Sequence, residues 1–149
     1  MSDLRESILA RLVEVIEAVD GIAFTARNVI LIDETDLPAA FVLDGIEEAV
    51  VEDQDRRRSA GGPVRVIMTP QVHIRTRAAD PDDTGPALSA LRAAVIKAVL
   101  GGATLAGIVY PNGSLQYAGC SNEIAAGRQH EAAISVSFAI RYVLAPALL

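Results

Sequence analysis

The sequence predicts an α+β fold: an antiparallel or mixed sheet of about four to six strands with two amphipathic helices packed on one face. Three observations carry this expectation. Two long segments, Pro63 to Arg77 and Glu131 to Leu144, alternate apolar and small or polar residues with the period of a half-buried strand. Two other segments repeat apolar residues every three or four positions, as amphipathic helices do. The order along the chain is helix, strands, helix, strands, which separates the classes rather than alternating them strictly.

The first helix is marked by Leu4, Ile8, Leu12, Val15, Ile16 and Val19, with Ser2 as N-cap, Asp3 and Glu6 at the positive end of its dipole and Gly21 as the stop. Arg5, Arg11, Glu14 and Glu17 lie off the stripe and form a solvated face. A β-rich run from Asn28 to Ile32 follows, closed by the acidic turn Asp33 to Asp36. Leu37-Pro38 leads into a strand over Ala39–Leu43, and Asp44-Gly45 predicts a hairpin turn into Ile46–Val51. Residues 52 to 62, Glu52-Asp-Gln-Asp-Arg-Arg-Arg-Ser-Ala-Gly-Gly62, hold no apolar side chain larger than Ala. They predict a projecting charged loop that orders on contact with a partner.

In the strand Pro63 to Arg77, Val64, Val66, Met68, Val72 and Ile74 share one parity, and Pro70 predicts a bulge or an edge. Its length makes it the antiparallel partner of the terminal strand. Pro86 fits the first position of a second helix whose stripe is Leu88, Leu91, Val95, Ile96, Val99 and Leu100, stopped by Gly101-Gly102. Gly107 to Tyr110, an Asn112-Gly113 turn and Leu115 to Tyr117 predict a further hairpin. Ser121 to Gln129 reads as a loop or a short helix. The terminal strand, Glu131 to Leu144, places Ile134, Val136, Phe138, Ile140 and Tyr142 on the core face. Ser135, Ser137 and Arg141 then share the opposite face with Thr69, Gln71 and His73, which turns to solvent or to a partner.

At 149 residues, 51% of them hydrophobic, the chain is one domain with a substantial core. The formal net charge of −6 opposes general binding to nucleic-acid phosphates. A single cysteine, Cys120, forms no intrachain disulfide and suits a reducing compartment. The opening MSDLRES has neither the basic start nor the apolar run of a signal peptide. Arg141, Pro146 and the serine alternation favour a strand over a spanning helix at the apolar C-terminus, so no membrane is expected.

No constellation of residues carries a catalytic signature. His73, His130 and Cys120 lack metal-ligand spacing, the carboxylates cluster in polar loops, and the glycine pairs make neither GxGxxG nor a P-loop. Arg56-Arg57-Arg58 is offset by Glu52, Asp53 and Asp55, which suits a protein contact better than a nucleic-acid clamp. Catalytic, cofactor and metal sites are all expected to be absent. The surfaces left for function are the charged loop and the face bearing Ser135, Ser137 and Arg141.

Several ordered features together resemble a known family. They are the amphipathic N-terminal helix, the Leu-Pro-Ala strand entry running into Asp44-Gly-Ile-Glu-Glu48, the charged loop, the strand VRVIMTPQVHI, and a helix with LxxLRxxV. The stretch Gly107-Ile-Val-Tyr-Pro-Asn-Gly113 and the terminal Ser137-Phe-Ala-Ile-Arg-Tyr142 complete the series. The pattern resembles the tail terminator, or minor tail completion, proteins of long-tailed bacteriophages and related tail-like particles. The resemblance implies a non-catalytic virion protein without cofactor, assembled in the host cytoplasm. It would form a hexameric ring on the completed tail tube, end tube polymerisation and offer a surface to the head-side connector. DNA would pass through without specific binding, and the negative charge suits a channel that phosphates must not adhere to. The assembly interface implied comprises Glu52, Asp53, Asp55, Arg56, Arg57, Arg58, Ser135, Ser137 and Arg141. Alternatives are a head–tail connector or neck protein, a small-ligand binding α+β domain, and an enzyme using Cys120 or a histidine.

Overall fold

The computed structural model describes residues 3–29, 36–50, 61–124, 131–146 and 149. Its elements are α1 (Leu4–Glu17), β1 (Phe24–Arg27), β2 (Ala39–Ala49), β3 (Val64–Arg77), α2 (Pro81–Gly101), α3 (Ala103–Val109), β4 (Ser114–Ile124) and β5 (Glu131–Leu144). The strands form one five-stranded sheet in the order β1-β2-β3-β5-β4. Only the β1–β2 pair is parallel, so the sheet is mixed and the fold is α+β. All three helices pack on one face of the sheet.

β5 lies inside the sheet, and β3 is its antiparallel neighbour from Val64↔Leu144 to Arg77↔Glu131. The alternation predicts the core face correctly: Ile134, Val136, Phe138, Ile140 and Tyr142 are buried with Val66, Met68, Val72 and Ile74. Each such side chain contributes about 1.5–3 kcal/mol on burial. α1 covers them with Ile8, Leu9, Leu12 and Ile16, α2 with Leu88, Val95 and Val99, and α3 with Leu105 and Val109.

Several local expectations are corrected. Asp3 is the N-cap of α1, its carboxylate accepting from the Arg5 amide at 3.0 Å. The strand after α1 is Phe24–Arg27, and Asn28 ends it with a φ of 54°. The expected strand residues 30–32 and the acidic turn over 33–35 lie outside the described residues.

Asp44-Gly45 makes no hairpin, because β2 runs through it. The register against β3 shifts between Leu43↔Gln71 and Ile46↔Thr69, so β2 carries one extra residue in a bulge across from Pro70. Gly45 has a φ of +72°, the left-handed conformation that such bulges give to glycine, and a Cβ there would overlap the Thr69 carbonyl. The proline thus marks the right place but the wrong strand, and β3 is the middle strand, not an edge.

α2 begins at Pro81, five residues before Pro86, because Asp80 supplies the cap by accepting from the Asp82 amide at 3.0 Å. Pro86 stands inside the helix, where it forgoes only the bond to the exposed first turn. Gly107 to Val109 belong to α3. Leu105 and Val109, four apart, are both buried while Gly107 midway between them is exposed, the pattern of a helix and not of a strand. Asn112-Gly113 therefore joins a helix to β4. Gly113 is needed there because a Cβ would overlap the Arg141 carbonyl. Ser121 to Ile124 extend β4, and residues 125–130 lie outside the described part.

Among the described residues no single helix is long and apolar enough to cross a membrane. The apolar C-terminal stretch is β5, built into the sheet.

Candidate functional site

The bulge at Asp44-Gly45 sets the first cluster. One extra residue reverses the side-chain parity of β2, so Glu47 comes to the helix-covered face and Ile46 and Glu48 to the opposite one. Beside the bulge, Arg27 at the end of β1 bridges two carboxylates. It donates to Asp44 through Nε (2.8 Å) and Nη2 (2.9 Å), and to Glu6 of α1 through Nη1 (2.7 Å) and Nη2 (3.0 Å). Asn28 completes the corner, its side-chain oxygen accepting from the Asp44 amide at 3.0 Å. Arg5 lies 3.6 Å from Asp44 and 3.8 Å from Glu47, and the Tyr142 hydroxyl donates to Glu47. Hydrogen bonds from Arg27 hold the Asp44 and Glu6 carboxyls below their ordinary values. Burial, then the Glu47 carboxylate, push the Tyr142 phenol up, so it remains a donor. Every charge here has a fixed partner, and the cluster ties α1, β1, β2 and β5 together. It is a structural joint.

The second cluster lies at the other end of the sheet. Arg92 of α2 donates to the Tyr117 hydroxyl (3.0 Å) and the Cys120 sulfur (3.3 Å) of β4. Hydrogen bonding to Tyr117, and then to Arg92, lowers the exposed Cys120 thiol. No histidine or carboxylate is bonded to it, so a relay to a base is missing among the described contacts. No group of three or more His, Cys, Asp or Glu side chains able to hold a metal occurs among the described residues.

The sheet face away from the helices divides into two halves. Around one end it is closed: Phe41 is fully buried, its ring 6.2 Å from Phe24 and 6.4 Å from His73. His73 and Ser135 are paired across the β3–β5 ladder, with His73 Nδ1 and Ser135 Oγ 2.9 Å apart. Ser135 is only 8% exposed, so the expectation that Ser135 and His73 face solvent is corrected. The other half is open. Gln71, Gln116 and Arg141 are exposed there, Thr69 and Ser137 are half-exposed, and Ile46 stands 65% exposed beside them. Arg141 Nη1 donates to Gln116 at 3.3 Å. Arg141 and Arg65 also line a cleft of about 390 Å3 at the sheet end that holds Ser114 and Tyr142.

The structure therefore brings Ser137 and Arg141 to one open surface and removes Ser135 from it. Glu52, Asp53, Asp55, Arg56, Arg57 and Arg58, and likewise His130, lie outside the described residues. Sequence reasoning missed the Arg27 joint, because its partners are 17 and 21 residues away. The Asp-Gly pair that reveals the bulge was its one local signal.

The fold and this surface define a class: an α+β domain with one mixed sheet, helices on one face and an open half-face on the other. No protein-family model matches the chain, and no curated protein sequence is similar to it. Among solved structures it is similar to a chain of the virion of a native gene transfer agent particle. The likeness has 19% identity, covers 93% of each chain and has a TM-score of 0.52, and it is a likeness of fold.

Proposed function

We propose that the chain is a structural protein of a phage-like particle, and that within the particle it is the terminator of the tail tube. One observation carries the reading: the fold matches a chain of a gene transfer agent virion along 93% of both lengths. The clusters support it from the other side, since their ionic groups are spent on joining elements rather than poised for chemistry.

On this reading the chain is a non-enzymatic virion component. Copies close into a hexameric ring on the completed tube, end its growth and present a surface to the head-side connector. Ser137 and Arg141 contribute from the open half-face, and Glu52, Asp53, Asp55, Arg56, Arg57 and Arg58 from the loop. Ser135 supports that face from beneath through His73. The excess of acids favours a lumen through which DNA passes without adhering.

Purified chain added to polymerising tail tube protein tests this. Rings at one end of shortened tubes are expected, whereas tubes of unchanged length with bare ends would reject the terminator role. Binding to portal-side proteins instead would assign the chain to the neck.

A further inference from the structure

Among the described residues the sheet has two open edges, and they differ. On one side β4 is outermost, and its residues Gln116, Tyr117, Ala118, Cys120, Ser121 and Asn122 are exposed. On the other side the four residues of β1 pair only with Ala39 to Val42. Among the described residues nothing pairs with the outer side of Ile46 to Ala49.

Proteins that remain single guard such edges with charged residues, proline or bulges. From Ser114 to Asn122, β4 contains no charged residue and no proline. Its one irregularity is the bulge at Ala118, between Tyr117↔Phe138 and Gly119↔Ser137. An uncharged, exposed edge of this length is a template for another strand.

We propose that the β4 edge of one copy pairs with Ile46–Ala49 of β2 in a second copy, joining the sheets head to tail. The inference rests on the ring reading above and names the surface that closes the ring. Three features favour a second copy as the occupant. The first is direction. β2 is antiparallel to β3, β3 to β5 and β5 to β4, so β4 runs opposite to β2. Rotation about an axis along the strands keeps the direction of β2, and the junction becomes antiparallel, the more stable pairing.

The second is that the two edges are unlike, so the contact is heterologous, and such contacts close into rings when the rotation permits. The third is charge. The outer run of β2 carries Glu48 in addition to the Glu47 already bonded to Tyr142, whereas β4 is uncharged from Ser114 to Asn122 and has Arg92 on its helix side and Arg141 on its open side. Joining the sheets places Glu48 on the same face as Arg141 and takes the exposed Ile46 out of water.

The native Cys120, the sole cysteine, supplies the test. It lies on the helix side of β4, as Ala49 does on β2, whereas Glu48 points to the opposite face. A disulfide requires Cα atoms within about 4.4–6.8 Å. A49C is oxidised with native Cys120 and, in a C120S background, with Y117C or N122C, so that neighbouring registers are sampled. One of these pairs should give a ladder of covalent oligomers beyond the dimer, and E48C with Cys120 should not. No ladder from any A49C pair, or equal ladders from A49C, E48C and an R11C control on α1, would overturn the proposal.

As a second readout, S121K should abolish the oligomer in mass photometry with the monomer's melting temperature unchanged. Persistence of the oligomer would overturn it too. Six-fold rings without the A49C link would remove this interface and leave the terminator reading standing. The link without tube capping would do the reverse.

Discussion

At Arg27 one guanidinium holds carboxylates from α1 and from the β2 bulge, and both carboxyls titrate below their ordinary values as a result. Hydrogen bonds to charged partners contribute about 1.5–3 kcal/mol each where they are partly buried. The Asp44 pair is the less exposed of the two, so Arg27→Ala should cost roughly that amount in a urea titration at neutral pH. The pH dependence follows from the direction of the shifts. A depressed carboxyl stabilises the fold fully above its unfolded value, about pH 4, and loses that contribution as pH falls through the folded value. The difference between wild type and Arg27→Ala should therefore shrink at pH 3. A difference that stayed constant would show that packing, not charge, makes the joint.

Gly45 is the second decisive residue. Its positive φ alone makes Gly45→Ala cost at least about 1–2 kcal/mol, and the overlap with the Thr69 carbonyl adds to it. A melting temperature unchanged by the substitution would contradict the bulge.

At the scale of elements, the pair β3–β5 carries the fold. Phe138 is fully buried on β5, with Tyr117 edge-on at 6.5 Å. Phe138→Ala should cost about 3–5 kcal/mol, whereas Ser135→Ala, which removes the bond to His73 Nδ1, should cost about 1–3 kcal/mol. Thermal or chemical denaturation ranks the two, and the reverse order would contradict the placement of the core.

The same pair explains what was legible beforehand. Parity over 14 residues determines which face is buried, and neither β3 nor β5 contains a register shift against the other. The elements misread were those decided by choice between equal local signals. Pro81 and Pro86 both suit a helix start, and only the cap at Asp80 distinguishes them. Asp44-Gly45 suits a turn or a bulge, and only the free length of β3 opposite decides. Ile108 and Val109 are β-branched but fall to a helix that buries Leu105 and Val109 and leaves Gly107 between them exposed. Of the candidate surface, Arg141 and Ser137 could be placed by parity. The burial of Ser135 could not, since it lies beside His73 where three strands bring Phe41, His73 and Ser135 side by side.

At the scale of the molecule, the core spends the helix face of the sheet, and the joint at Arg27 spends the ionic groups nearest the bulge. Among the described residues, what remains open is one half-face and two unlike edges, an arrangement suited to repeated contacts between copies. The most direct measurement is negative-stain imaging of tail tubes grown with and without the purified chain. The account predicts shortened tubes, each with a six-fold ring at one end. Tubes of the same length with bare ends, beside a chain that remains monomeric, would contradict it.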